Sequence, residues 1–114
     1  MGTAWFRNED HAAAVAAAEY AAAADLLVAS CLAAAADGDI SAYFDLGVAY
    51  STGSHGVECD LIEAHKWFNL AAVGGYDEAK MCRADVADEM TAREIAEAQR
   101  RAREWIAANG RLAA

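Results

Sequence analysis

The stretch Ala42–Ala79, AYFDLGVAYSTGSHGVECDLIEAHKWFNLAAVGGYDEA, decides the fold. Ala42, Leu46, Gly47 and Tyr50 share one helical face, and Gly53 and Gly56 open a loop. Ala64, Trp67, Phe68, Ala71 and Ala72 then mark a second helix that stops at Gly74-Gly75. These spacings predict two packed antiparallel helices, a hairpin of the kind that buries its apolar face against neighbouring units.

The composition around the hairpin supports the same class. The chain has 114 residues, room for one modest core and one domain. Alanine, the strongest helix former, fills 32 positions, and proline, the weakest, is absent. An all-α protein of about five closely approaching helices is expected. Residues 1–10 lack periodicity and read as a loose N-terminus, with Trp5 and Phe6 as an apolar clip. Residues 11–36 read as one Ala-rich helix whose buried stripe is Tyr20, Ala24, Leu27 and Cys31, stopped by Asp37-Gly38-Asp39. Two shorter helices broken near Asp25 are the alternative, without a Gly or Pro there to mark a turn.

Beyond the first helix the termini are signalled locally. The hairpin helices are expected over Ser41–Ser51 and Asp60–Val73, the second N-capped by Asp60 with Glu63 completing a capping pattern. A fourth helix starts near Asp77, capped by it, and turns Ala79, Cys82, Val86 and Met90 to one side. Thr91 and Glu94 form a capping box for a fifth helix with the stripe Ile95, Ala98, Ala102 and Trp105, ended by Asn109-Gly110. Ala35, Gly38 and Ala42 recur as Ala72, Gly75 and Ala79, each 37 positions on, which marks a faint internal repeat.

The pattern A-x3-L-G-x2-Y-x2-G, a G-V loop, then D-x3-A-x2-W-F-x2-A-A-x2-G resembles the Sel1-like repeat, a relative of the tetratricopeptide repeat. It falls on Ala42, Leu46, Gly47, Tyr50, Gly53, Gly56, Val57, Asp60, Ala64, Trp67, Phe68, Ala71, Ala72 and Gly75. One full copy thus occupies residues 40–75, and residues 77–109 read as two capping helices. The loop departs from the pattern by holding Ser54-His55 between its glycines, and Arg83-Ala84 replaces the Leu-Gly of a further copy. The ending resembles short Sel1-like proteins of bacteria. The resemblance implies antiparallel hairpins stacked into an α-α superhelix, and a role in binding other proteins as scaffold or adaptor.

Charge and chemistry narrow the expected function. The formal charge is −9, and its distribution is uneven: residues 1–90 hold 15 acids against 4 Lys/Arg, residues 91–114 hold 3 against 5. An acidic body closed by a basic helix lacks the footprint for nucleic acid. Glu19 and Asp25 interrupt the alanine run, so no membrane span is expected, and the chain reads as cytoplasmic. Cys31, Cys59 and Cys82 are odd in number and widely spaced, consistent with reduced thiols, Cys59 being the most reactive. With His55 and His65 they offer no close ligand pair, so no metal is expected.

No hydrolase, P-loop or dinucleotide motif is present, so no enzyme and no cofactor are expected. Some Sel1-like relatives are secreted, with cysteine pairs in every repeat and affinity for β-lactams. This chain lacks the pairs, which leaves a hydrolase of that type as the weakest reading. The reading is a non-catalytic interaction module whose partner is another protein or itself, with a homodimer through the Ala-rich helix as the alternative. Tyr43, Asp45 and Ala49, off the packing face of the first hairpin helix, and Lys80 and Arg83 on the fourth, are the candidate partner-binding surface.

Overall fold

The computed structural model describes residues 27–109. Residues 27–36 are helical (α1), followed by α2 (Ile40–Thr52), α3 (Leu61–Val73), α4 (Asp77–Ala87) and α5 (Ala92–Asn109). The fold is all-α, with no strand among the described residues. The expectations for the loose terminus, for Tyr20 and Ala24, and for one helix or two over 11–36 lie outside these residues.

The helix termini show which local signals the backbone uses. Asp60 N-caps α3, accepting from the amides of Ile62 at 3.1 Å and Glu63 at 3.2 Å. The second half of the expected capping pattern is not made, because Glu63 turns instead to Lys66 and Arg101, each at 2.9 Å. Thr91 and Glu94 form the reciprocal box: the Glu94 amide donates to Thr91 Oγ1 at 3.1 Å and the Thr91 amide to Glu94 Oε1 at 2.9 Å. Asp39 is more than a stop, since its carboxylate caps α2 through the amides of Ser41 and Ala42. Asp77 is not the cap of α4; Tyr76 holds that position without a side-chain bond and stacks its ring on Phe44 at 4.4 Å.

The faint sequence repeat is a repeat of geometry. At the α1–α2 junction Gly38 has φ +88°, the Gly38 amide donates to Ala35 O at 2.9 Å and the Asp39 amide to Ala34 O at 3.0 Å. At the α3–α4 junction Gly75 has φ +103°, the Gly75 amide donates to Ala72 O at 3.1 Å and the Tyr76 amide to Ala71 O at 2.9 Å. Both are left-handed glycine closures that return the chain sharply against the helix just ended. The alanines around them, Ala35, Ala42, Ala72 and Ala79, are all buried.

Packing centres on α3, against which α2, α4 and α5 all lie, while α4 and α5 barely touch each other. One face of α3 sends Trp67 and Leu70 into a cluster with Ala35, Ala42, Leu46 and Ala102. The other sends Ala64, Phe68, Ala71 and Ala72 against Ala79 and Val86. The α2–α3 seam closes on Gly47, where a Cβ would sit 2.6 Å from the Phe68 ring, so only hydrogen fits. Of the repeat-pattern residues, Ala42, Leu46, Gly47, Ala64, Trp67, Phe68, Ala71 and Ala72 are buried and Tyr50 is half-buried. Gly53, Gly56 and Gly75 are exposed and contribute turns rather than packing.

Of the expected stripe in α1, Cys31 packs inward and Leu27 does not. Leu27 is 53% exposed, whereas Val28, Cys31 and Ala34 pack against the core around the fully buried Ala35. Adjacent helical residues point about 100° apart, so an alanine-rich segment conceals which neighbour faces inward.

Candidate binding grooves

Two apolar grooves flank α2. The larger, about 460 Å³, lies between α1 and α2 and is lined by Leu27, Val28, Cys31, Phe44 and Val48, with Asp45, Ala49 and His55 also at its walls. His55 reaches it from a loop position with φ +58°, a left-handed conformation rare for a residue with a Cβ. The smaller, about 280 Å³, is lined by Ile40, Tyr43, Leu70, Val73, Trp105 and Ile106, together with Gly38, Gly74 and Asn109.

The five candidate surface residues do not converge. Asp45 is exposed and borders the larger groove. Ala49 borders it too but is buried at 3% exposure, so the expectation of an open surface position is corrected: α2 is covered on more than its Leu46–Tyr50 face. Tyr43 is half-buried and lines the smaller groove, but it packs inward rather than standing clear of the packing face: its ring stacks on Trp67 at 5.9 Å, meets Trp105 edge-on at 6.4 Å, and its hydroxyl accepts from Trp105 Nε1 at 3.4 Å. Arg83 is half-buried and donates to Asn69 Oδ1 at 2.7 Å, which ties α4 to α3. Lys80 is exposed on α4, 3.8 Å from Asp77.

The larger groove has a thiol, a carboxylate and an imidazole among its lining, from α1, α2 and the following loop, but its electrostatics oppose nucleophilic chemistry. Burial pushes the Cys31 thiol above its ordinary pKa, and the negative charges of Asp45 and Asp39 push it further. An active thiolate needs the opposite surroundings, cationic or at a helix N-terminus. Cys59 is exposed in the loop, with Sγ 3.6 Å from Ser51 O. Among the described residues no group of three or more His, Cys, Asp or Glu is placed to hold a metal ion, and no helix is long and apolar enough to cross a membrane.

A buried histidine and a basic network escaped the sequence patterns. His65 is only 4% exposed, its Nδ1 has no hydrogen-bond partner among the described residues, and burial, then the charge of Arg83, lowers its pKa. The neutral ring therefore acts as a core side chain. Glu63 joins Lys66 to Arg101, and Arg101 also binds Glu97 at 2.8 Å, while Lys66 Nζ lies 4.2 Å from the Trp67 ring centroid. These contacts clamp α5 across α3. The Glu63–Lys66 and Glu97–Arg101 spacings are local, whereas the Arg101–Glu63 link across 38 residues leaves no trace in the sequence.

Comparison with protein-family models, with curated proteins and with solved structures finds no match for this chain.

Proposed function

We propose that the chain is a non-catalytic protein-interaction module of the Sel1-like type, acting as a small adaptor, and that its larger groove receives an apolar segment of a partner protein. The reading is carried by one observation: a groove of about 460 Å³ between α1 and α2 with Leu27 standing 53% exposed at its edge. An open apolar cleft on a small acidic protein suits an apolar anchor from another chain, with surrounding polar groups setting its orientation. The raised thiol of Cys31 in the groove lining supports binding over catalysis. Support for the Sel1-like assignment comes from the sequence pattern and from the repeated glycine junctions 37 residues apart.

Affinity capture with cells of the source organism tests this reading when Leu27→Asp and Val48→Asp are run beside wild type and a Met81→Asp control. Met81 is 73% exposed on α4, away from the groove. Partners lost from the two groove variants and kept by the control are the expected result. Identical recoveries from all four proteins would overturn it, as would turnover of a small substrate that a Cys59 variant abolishes without unfolding.

A homodimer through α1 is the second reading. It is favoured by Leu27 and Leu32, both exposed on that helix among small residues that permit close helix approach. Sedimentation equilibrium decides it, because a monomer at tens of micromolar excludes a dimer of working strength.

A further inference from the structure

From the two seams of the internal repeat we infer that the α3–α4 seam is an acid-sensitive latch, in which a proton taken up by His65 frees α4 from α3 while the rest of the fold stays closed. The inference goes beyond the interaction-module reading and does not depend on either groove. The glycine junctions before α2 and α4 share one geometry, so residues 37 positions apart hold equivalent places in the α1–α2 and α3–α4 seams. In the first seam Val28 and Leu46 pack in one apolar cluster. Their counterparts in the second are His65 and Arg83, and the counterpart of Leu32 is Asn69. Three apolar positions have thus become polar together. The structure joins them: Arg83 Nη1 donates to Asn69 Oδ1 at 2.7 Å, Asn69 stands one helical turn beyond His65, and the charge of Arg83 acts on the His65 ring.

The cluster tolerates one cation and not two. His65 is buried with Nδ1 unpartnered among the described residues, and Arg83 bonds a neutral amide with no carboxylate paired to it there. A proton on His65 would set a second positive charge beside the first in a site nearly closed to water. Other nearby charges are engaged elsewhere: Glu63 and Lys66 of α3 join the α5 clamp, and Glu78 and Asp85 of α4 act on Cys82. Arg83 is the one charged group among the described residues that acts on the ring. Helix α4 is also the outer helix with the fewest ties. It packs on α3, only Ala79 and Val86 of its eleven residues are buried, and its N-cap makes no side-chain bond. Opening α4 returns the ring to water and to its ordinary 6.5, so the open form binds the proton more tightly. The latch is therefore closed above about 6.5 and loosens as pH falls through the lowered folded value.

Native-state hydrogen exchange of the full chain, read by NMR as protection factors at about pH 7 and about pH 5, tests the latch. The lower pH lies above the range in which Glu97 and Asp39 take up protons. Protection of the Ala79–Ala87 amides should fall by roughly tenfold for each unit by which the ring's pKa is lowered, and protection at Leu46–Tyr50 should hold. His65→Gln should abolish the fall. The triple variant His65→Val, Asn69→Leu and Arg83→Leu carries the residues of the first seam and should abolish it as well, with α4 protected at least as strongly as in wild type. Wild-type α4 protection equal at both pH values would overturn the inference, as would a fall at α4 that persists in His65→Gln. A fall shared equally by α2 and α4 would also overturn it, making His65 a core residue whose proton is linked to global unfolding alone.

Discussion

Helices α3 and α5 are both amphipathic in sequence, yet they are held by different forces. Seven of the thirteen residues of α3 are buried, including Trp67, Phe68 and Leu70. Only Ala98 and Ala102 of the eighteen in α5 are buried. A central helix draws its stability from apolar area removed from water, whereas a peripheral one depends more on its cap, its ion pairs and a few anchors such as Trp105. Substitutions in α3 should therefore act by volume, and those in α5 by polar geometry.

The largest expected effect follows from truncating the most buried aromatic. Trp67→Ala should destabilise by about 3–5 kcal/mol, since the ring is 1% exposed and touches Tyr43 and Trp105. Chemical denaturation measures it, and a change under about 1 kcal/mol would break the contrast between the two helices. Gly47→Leu should cost about 1–3 kcal/mol by overpacking the seam, because even its Cβ meets the Phe68 ring at 2.6 Å. An unchanged melting temperature in either variant would contradict the α2–α3 pairing.

Effects in α5 should be smaller and polar. Thr91→Ala removes the acceptor of the Glu94 amide and should cost about 1 kcal/mol, with Thr91→Ser restoring most of it. Arg101→Ala opens the link to Glu63, a partly exposed pair, and should cost about 0.5–1 kcal/mol, less at high salt. A loss of several kcal/mol at Arg101 would mean that α5 is clamped by charge to an extent the exposure of the pair does not support.

Acid separates the two helices by pH. His65 has a folded pKa below its ordinary 6.5, so the unfolded chain takes the proton first. Its contribution is complete above about 6.5 and is lost as pH falls through the lowered folded value. Glu97 of α5 is held down to about 2, chiefly by hydrogen bonds from Arg100 and then Arg101. Its contribution is complete above 4.5 and is lost between there and about 2. Melting curves against pH should thus show a first decline that His65→Gln removes and a later one that Glu97→Gln reduces, Asp39, held down by its hydrogen bonds from Ser41 and Ala42, contributing to the rest. Coincident declines would erase the distinction.

Much of the fold is legible in the sequence because its signals are local. Asp60, Thr91 and Glu94 cap through neighbours two or three residues away, and Gly47 declares the seam because only a missing side chain permits such proximity. The rest depends on distance in sequence. Trp105 reaches Tyr43 across 62 residues and Arg101 reaches Glu63 across 38, and no periodicity in α5 encodes either. For that reason Tyr43 reads as open surface although it lies under Trp105. Ala49 misleads differently: α2 meets α3 on one side and borders the groove wall of α1 on another, so a single-face reading leaves one buried position outside. Both grooves are illegible, since each is assembled from helices whose meeting no local signal records.

The arrangement of α2, α4 and α5 around α3 bears on how the molecule comes apart. A linear array whose units touch only their neighbours can lose an end unit while the remainder persists. Here α2, α4 and α5 all pack on one central helix, and α2 also holds α1 and meets Trp105 of α5, so the contacts are shared rather than confined to successive units. Residues 27–109 should accordingly melt as a single cooperative unit, with calorimetric and van't Hoff enthalpies in agreement.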